Sequence, residues 1–196
     1  MSMASRKRNG VAQAWIELRA DDPEAVSALA VARAHLAAGR RLRRLRRLRL
    51  VEVAGRLPKR ERFAALLHQS TQFYNPHKER CTIRMAEEEA VPLAVGERAV
   101  LVVERDGERR AAAERWWLHE TGGAVEVREG AVWLLLLEGG DARDVEDLAL
   151  VRERRHGLLC NPHSQDLRVA GDSVPLPWLE TPAAAGRARP PRKRSR

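Results

Sequence analysis

The triplet Asn-Pro-His occurs twice, at residues 75–77 and 161–163, an offset of 86 positions in a chain of 196 residues. An offset close to half the length predicts an internal duplication, with one small module written twice. A helix-like stretch precedes each triplet and a short apolar-rich segment follows it. Proline cannot donate to a preceding helical turn and pushes the residue before it out of the α region, while Asn tolerates turn conformations. Each triplet therefore reads as a helix stop that releases the chain into a strand.

The segments between the triplets follow one order. In the first half, residues 12–20 alternate as a strand, and a helix follows with Asp21 or Asp22 as cap and Pro23 early in its first turn. Val26, Leu29, Ala30, Arg33 and Leu36 share one side of that helix. Residues 48–55 read as a strand, residues 58–73 as a helix with Phe63, Leu66, Leu67 and Ser70 along one side, and residues 80–86 as a strand. In the second half, residues 98–105 form a strand, Asp106-Gly107 a turn and residues 108–120 a helix. Glu129-Gly130 interrupts residues 124–138, which leaves a hairpin or a single strand open. A helix capped by Asp141 runs to Leu159, and a strand follows at 166–170. The order β-α-β-α-β, with a hairpin in the middle as an option, is the ferredoxin-like arrangement. The expected fold is α+β, with two tandem ferredoxin-like halves at 11–86 and 97–180 packed as an internal pseudo-dimer. Residues 87–96 are the expected linker, and 1–10 and 181–196 are expected to be disordered basic ends.

Charge sits at those ends. Arg6, Lys7, Arg8, Arg187, Arg189, Arg192, Lys193, Arg194 and Arg196 account for the whole formal charge of +9. They leave 27 basic residues against 27 acidic ones. A neutral core with basic ends predicts weak, nonspecific, salt-sensitive nucleic-acid binding through the tails. The longest apolar run, residues 131–137, falls far short of the roughly 20 residues that cross a bilayer, so no membrane association is expected. No apolar segment follows the polar, basic start, and Cys81 and Cys160 occupy matching places in the two halves without metal-ligand spacing, which predicts a cytoplasmic protein with free thiols.

Residues 40–49 are the least regular stretch, with a leucine every third residue among Arg40, Arg41, Arg43, Arg44, Arg46, Arg47 and Arg49. Two readings stand. The arginines line an anion-binding or nucleic-acid-binding edge, or they form an exposed connection and edge strand whose charges pair with acids of the core. For chemistry there is no GxGxxG, GxxxxGK[ST], HExxH or GxSxG, and no cofactor is expected. His77 and His163 approach one another if the halves pack about a two-fold, but they are two ligands where a metal needs three or four. Turn histidines are the plainer reading. Trp116, Trp117 and Trp133 read as core or interface, and Glu87, Glu88 and Glu89 as a solvated run.

The stretch from 132 to 169 resembles the PurS family, the small subunit of phosphoribosylformylglycinamidine synthase in purine biosynthesis. The likeness rests on an apolar strand ending in acids, an acid-rich helix and the pattern Leu158, Leu159, Asn161, Pro162, Asp166 and Val169. A fainter copy is Phe73, Asn75, Pro76 and Ile83. The glycine-containing loop after the family's first strand has only the counterpart "RDGERR" here, and the arginine run and basic tails lie outside the family pattern. The resemblance implies a non-catalytic subunit that pairs with itself and bridges an ATP-using synthetase to a glutaminase, here as two copies in one chain. The alternatives are a nucleic-acid-associated pseudo-dimer using the arginine run and tails, or a small-ligand sensor in the cleft between the halves.

Overall fold

The computed structural model describes residues 10–105, 109–139, 142–153, 155–171 and 173–179. The expected basic ends lie outside these, apart from Gly10, as do the cap at Asp141 and the Asp106-Gly107 turn. The elements are β1 (Gly10–Leu18), α1 (Pro23–His35), β2 (Leu42–Gly55), α2 (Arg60–Gln69), β3 (Glu79–Arg84), β4 (Glu97–Glu104), α3 (Ala111–Thr121), β5 (Val125–Leu137), α4 (Ala142–Ala149) and β6 (Gln165–Ala170), with a 3-10 turn at Gly39–Arg41. One six-stranded sheet, ordered β3-β1-β2-β5-β4-β6, holds every described strand, and all neighbours are antiparallel. Each half contributes three described strands, without the fourth of a ferredoxin-like unit, and β5 pairs with β2 at the middle.

The four described helices lie on one face. Alternation along the strands puts Ala12, Ala14 and Ile16 toward the helices and Trp15 away from them. Asp22 Oδ1 accepts the Glu24 and Ala25 N–H groups and starts α1 as the sequence suggests, with Pro23 in the first turn. The buried side of α1 is set differently from the expected one. Ala25, Ala32 and the cap residue Leu36 face inward, whereas Val26 is 56% exposed. Small residues let the helix lie close over Leu42, Leu45 and Trp133, whose bulk fills the space. In α2, Phe63, Leu66 and Leu67 are buried as the spacing requires.

The apolar clusters cross between the halves. One joins Ala25, Ala32 and Leu36 of the α1 region to Val100 and Val102 of β4 and to Val145, Leu148 and Ala149 of α4. The other joins Phe63, Leu66 and Leu67 of α2 to Ala113 and Trp117 of α3 over β1, β2 and β5. The face without helices is closed by crossing chain. Residues 85–96 bring Val91 and Leu93 over it, and residues 173–179 bring Val174, Trp178 and Leu179.

One alternative left open by the sequence is decided and two expectations are corrected. Residues 124–138 form no hairpin, because β5 runs unbroken through Gly130, where a Cβ would stand 2.8 Å from Leu179 and 2.9 Å from Leu101. Second, α4 stops at Ala149 instead of reaching Leu159. The following Arg- and Glu-rich stretch has no apolar side to bury, and Gly157, at φ +81°, turns the chain back so that Leu158 and Leu159 return to the α1–α4 cluster. Third, the arginine run is neither a connection nor an edge, since residues 42–49 belong to β2 at the sheet centre.

The crossing strap 173–179 is held by a buried polar set. Glu52, 2% exposed, accepts from Gln13 Nε2 (2.8 Å), Trp178 N (2.6 Å) and Leu179 N (2.9 Å). Arg84 Nη1 donates to the Val174 carbonyl at 2.8 Å, and Trp178 stacks on Trp15 with centroids 6.1 Å apart. Trp178→Ala should therefore destabilise the protein by about 3 kcal/mol in urea unfolding, the scale of a buried aromatic deletion. A loss below about 0.5 kcal/mol, the size of an ordinary surface change, would show that the strap contributes little.

Candidate functional site

The arginine run resolves into two faces. The register shift between Leu42 and Arg44 turns Leu42 to the helix side along with Leu45, whereas Leu48 and Leu50 face the strap. A leucine every third residue thus suits a strand buried on both faces. Arg44 and Arg46 point to the strap side with Leu48, and Arg47 and Arg49 to the helix side.

Six of the seven arginines pair with carboxylates. Arg41 meets Asp144, Arg43 meets Glu138, and Arg44 reaches Glu97 at 2.9 Å. Arg46 binds Glu97 at 2.9 Å, Glu17 at 3.1 Å and the Pro92 carbonyl at 2.7 Å, so it also pins the crossing linker. Arg47 meets Glu24 at 2.8 Å and Asp22 at 3.5 Å, and lies 5.8 Å over the Trp133 ring. Arg49 spans Glu79 at 3.1 Å, Glu129 at 3.3 Å and the Phe73 carbonyl at 2.9 Å. This is the core pairing of the second sequence reading, at the centre of the sheet instead of its edge. Arg40 makes no such pair among the described residues.

Each Asn-Pro-His triplet builds the same turn. Asn75 Oδ1 accepts the His77 N–H at 3.0 Å, its carbonyl accepts the Lys78 and Glu79 N–H groups, and Glu79 Oε2 accepts the Asn75 N–H at 2.6 Å. In the second copy, Asn161 Oδ1 accepts from His163 at 3.0 Å, its carbonyl from Ser164 and Gln165, and Gln165 Oε1 from Asn161 N at 2.8 Å. The triplets are not helix terminators, because α2 ends at Gln69 and α4 at Ala149. They are strand-launching turns, closed by the side chain four residues after the Asn. The exposed His77 and His163 sit beside opposite edge strands of the sheet, five strand spacings or roughly 24 Å apart, so they do not meet.

Gln165 extends from the second turn into a shallow groove on the helix side of the sheet, and Glu79 of the first turn meets Arg49 of its lining. Arg47, Arg49, Val102, Glu104, Glu129, Ala131 and Gln165 line part of it, enclosing about 210 Å³. Its charges are matched internally. Glu129 also accepts from Arg110 at 2.9 Å, and Gln165 donates to Glu104 at 2.6 Å. The groove can hold and orient a neutral or zwitterionic group, but it presents no nucleophile with its base. Among the described residues, no three His, Cys, Asp or Glu side chains converge for a metal. Cys81 lies in β3 and Cys160 just before the second turn, so they do not occupy equivalent places. Both are free thiols, with pKa values pushed by burial to about 12 and about 11.

The residues carrying the PurS resemblance scatter. Leu158 and Leu159 pack on the α1–α4 cluster, Asn161 and Pro162 form the second turn, Asp166 pairs with Arg105 at 3.1 Å, and Val169 is 42% exposed on β6. Asn75 and Pro76 form the first turn. Sequence reasoning missed Gln13, Glu52, Arg84 and Glu97 as buried polar groups. For Gln13 and Glu52 the signal was a polar letter among apolar ones, whereas Arg84 and Glu97 stand at the ends of strands that carry other polar residues and gave none. Comparison of the chain with protein-family models, curated proteins and solved structures gives no match. Among the described residues, no helix is long and apolar enough to cross a membrane.

Burial by itself would raise the Glu97 carboxyl. The hydrogen bonds from Arg46 and the Ala94 N–H, with the charges of Arg46 and Arg44, outweigh it and hold the group below the usual carboxylate range. A depressed folded pKa gives stability that is present above the unfolded value, about 4.3, and is lost as pH falls through the folded one. Glu97→Gln should therefore be less stable than the parent at neutral pH, with the difference shrinking below about pH 4. Urea unfolding across pH measures it, and a pH-independent gap would contradict the assignment. Asn75→Ala and Asn161→Ala should each cost about 1 kcal/mol, the scale of a lost side-chain cap. Unchanged stability in both would remove the turns from the account.

Proposed function

We propose that this chain is a non-catalytic assembly subunit, made of two PurS-like halves fused into one pseudo-dimer. The observation that carries the reading is the strand order, which from either edge inward runs third, first, second of a half, with β2 and β5 joined at the middle. The same side-chain-closed turn ahead of the third strand in each half supports it. So does the sharing of each helix-side cluster between halves, the arrangement that follows when two interlocked subunits are joined end to end. That each half shows three described strands and no fourth fits the fusion, because the position beside β2 is taken by β5.

In this role the protein supplies a rigid two-sided body and its partners supply the chemistry. By resemblance, those partners are a synthetase and a glutaminase that feeds it ammonia. Affinity-tagged full-length protein, recovered at moderate salt from the cells that make it, should bring both down in fixed proportion. Recovery of neither, from a folded and stable bait, would end the reading.

A further inference from the structure

The arginine run is matched by carboxylates except at its first member, and the exception lies in a recess. Arg33, His35 and Arg40 from the α1 end of the first half, and Arg155 and His156 from the loop after α4, line a recess of about 430 Å³. That volume lies within the roughly 300–1,000 Å³ of small-molecule sites. Its lining carries no acid, and its other members are Ala34, Leu36 and Ala37. Glu153, just outside, meets His156 Nδ1 at 2.9 Å and is itself 71% exposed.

Two features make this more than a chance patch. A cation beside the C-terminal end of α1 is favoured by the helix dipole, which accounts for Arg33. It does not account for Arg155 and His156, which the other half brings to the same place. A backbone hydrogen bond from Ala37 N to the Arg155 carbonyl, 3.2 Å, ties the two segments together, and Arg33 is fixed by donating to the Leu42 and Arg43 carbonyls at 3.0 and 2.8 Å. Arg40, Arg155 and His35 make no ion pair with a described residue. The next arginines of the run, from Arg41 to Arg49, are paired with carboxylates, whereas Arg40 and Arg155 converge on a recess whose lining holds none.

We propose that this recess binds a small, multiply charged phosphate compound carrying a pyrophosphate-type group. Arginine forks match phosphate oxygens bidentately, and a ligand with several negative charges relieves the repulsion among the converging cations. The recess is bounded by two chain segments and is not continued by the paired arginines of β2, which favours a compact ligand over a polymer backbone. The inference is independent of the assembly role and stands or falls separately.

Inorganic pyrophosphate is the probe, titrated calorimetrically into the full-length protein at about 50 mM salt, where phosphate contacts are least screened. Saturable binding is expected, and the doubly substituted Arg40→Ala, Arg155→Ala protein should bind at least about tenfold more weakly, a loss of roughly 1.4 kcal/mol. Arg40→Glu, a change at one exposed position, should weaken binding likewise in a protein whose thermal unfolding is unchanged. A variant with Arg192, Lys193, Arg194 and Arg196 replaced by Ala should bind as the parent does. Absence of saturable binding, equal affinity in the Arg40 variants, or loss only in the tail variant would each overturn the site. A short RNA that binds more tightly than pyrophosphate and depends on Arg40 and Arg155 would overturn it in favour of a nucleic-acid face.

Discussion

The antiparallel ladder between β2 and β5 carries everything else, and arginine–carboxylate pairing lets a strand so rich in charge lie there. A guanidinium withdrawn from water costs several kcal/mol unless its donors are met. Arg46 and Arg49 lie near the middle of the sheet, each 27–29% exposed, and each meets two carboxylates and a backbone carbonyl. Their partners come from other elements: Glu17 from β1, Glu79 from β3, Glu97 from β4 and Glu129 from β5. Removing any one would leave a half-buried guanidinium short of an acceptor, so the network specifies register and neighbours more than it adds net stability.

From that ladder the two halves become mutually dependent. Each helix-side cluster takes one helix from either half, and on the reverse face the linker and the 173–179 strap cross over Trp15, Leu48, Leu50, Leu101 and Val132. Carboxylates seated in the sheet fix both crossings, Glu97 through the Ala94 N–H and Glu52 through those of Trp178 and Leu179. Neither half could keep its apolar surface dry without the other. The recess beside α1 is also a product of the junction, since its cations come from both halves.

Much of this was legible in the sequence, for reasons of local chemistry. Pro23 and the acids before it start α1, the spacing of Phe63, Leu66 and Leu67 sets the buried side of α2, and the repeated Asn-Pro-His marks equivalent points in the two halves. The alternation of order into β-α-β-α-β also followed from propensity and period. The turns themselves were misread, because Pro limits only its neighbours, and the closing contacts from Glu79 and Gln165 depend on side chains four residues on.

Tertiary structure alone decided the rest. Whether residues 40–49 face water or lie in the sheet depends on acids distant in sequence, among them Glu97 and Glu129, and no local period carries that information. The bulge at Arg43 aligns leucines that a regular strand would set on opposite faces. Val26 and Ala25 are neighbours on the same helix, and only the bulk of Leu42, Leu45 and Trp133 beneath it decided which one is buried. The sequence by itself determined where elements begin and what they are made of, since those are set by residues within a turn or two. Which charges meet, which helix crosses to the other half, and where cations are left without a counterpart were decided by packing, since those contacts join residues far apart along the chain.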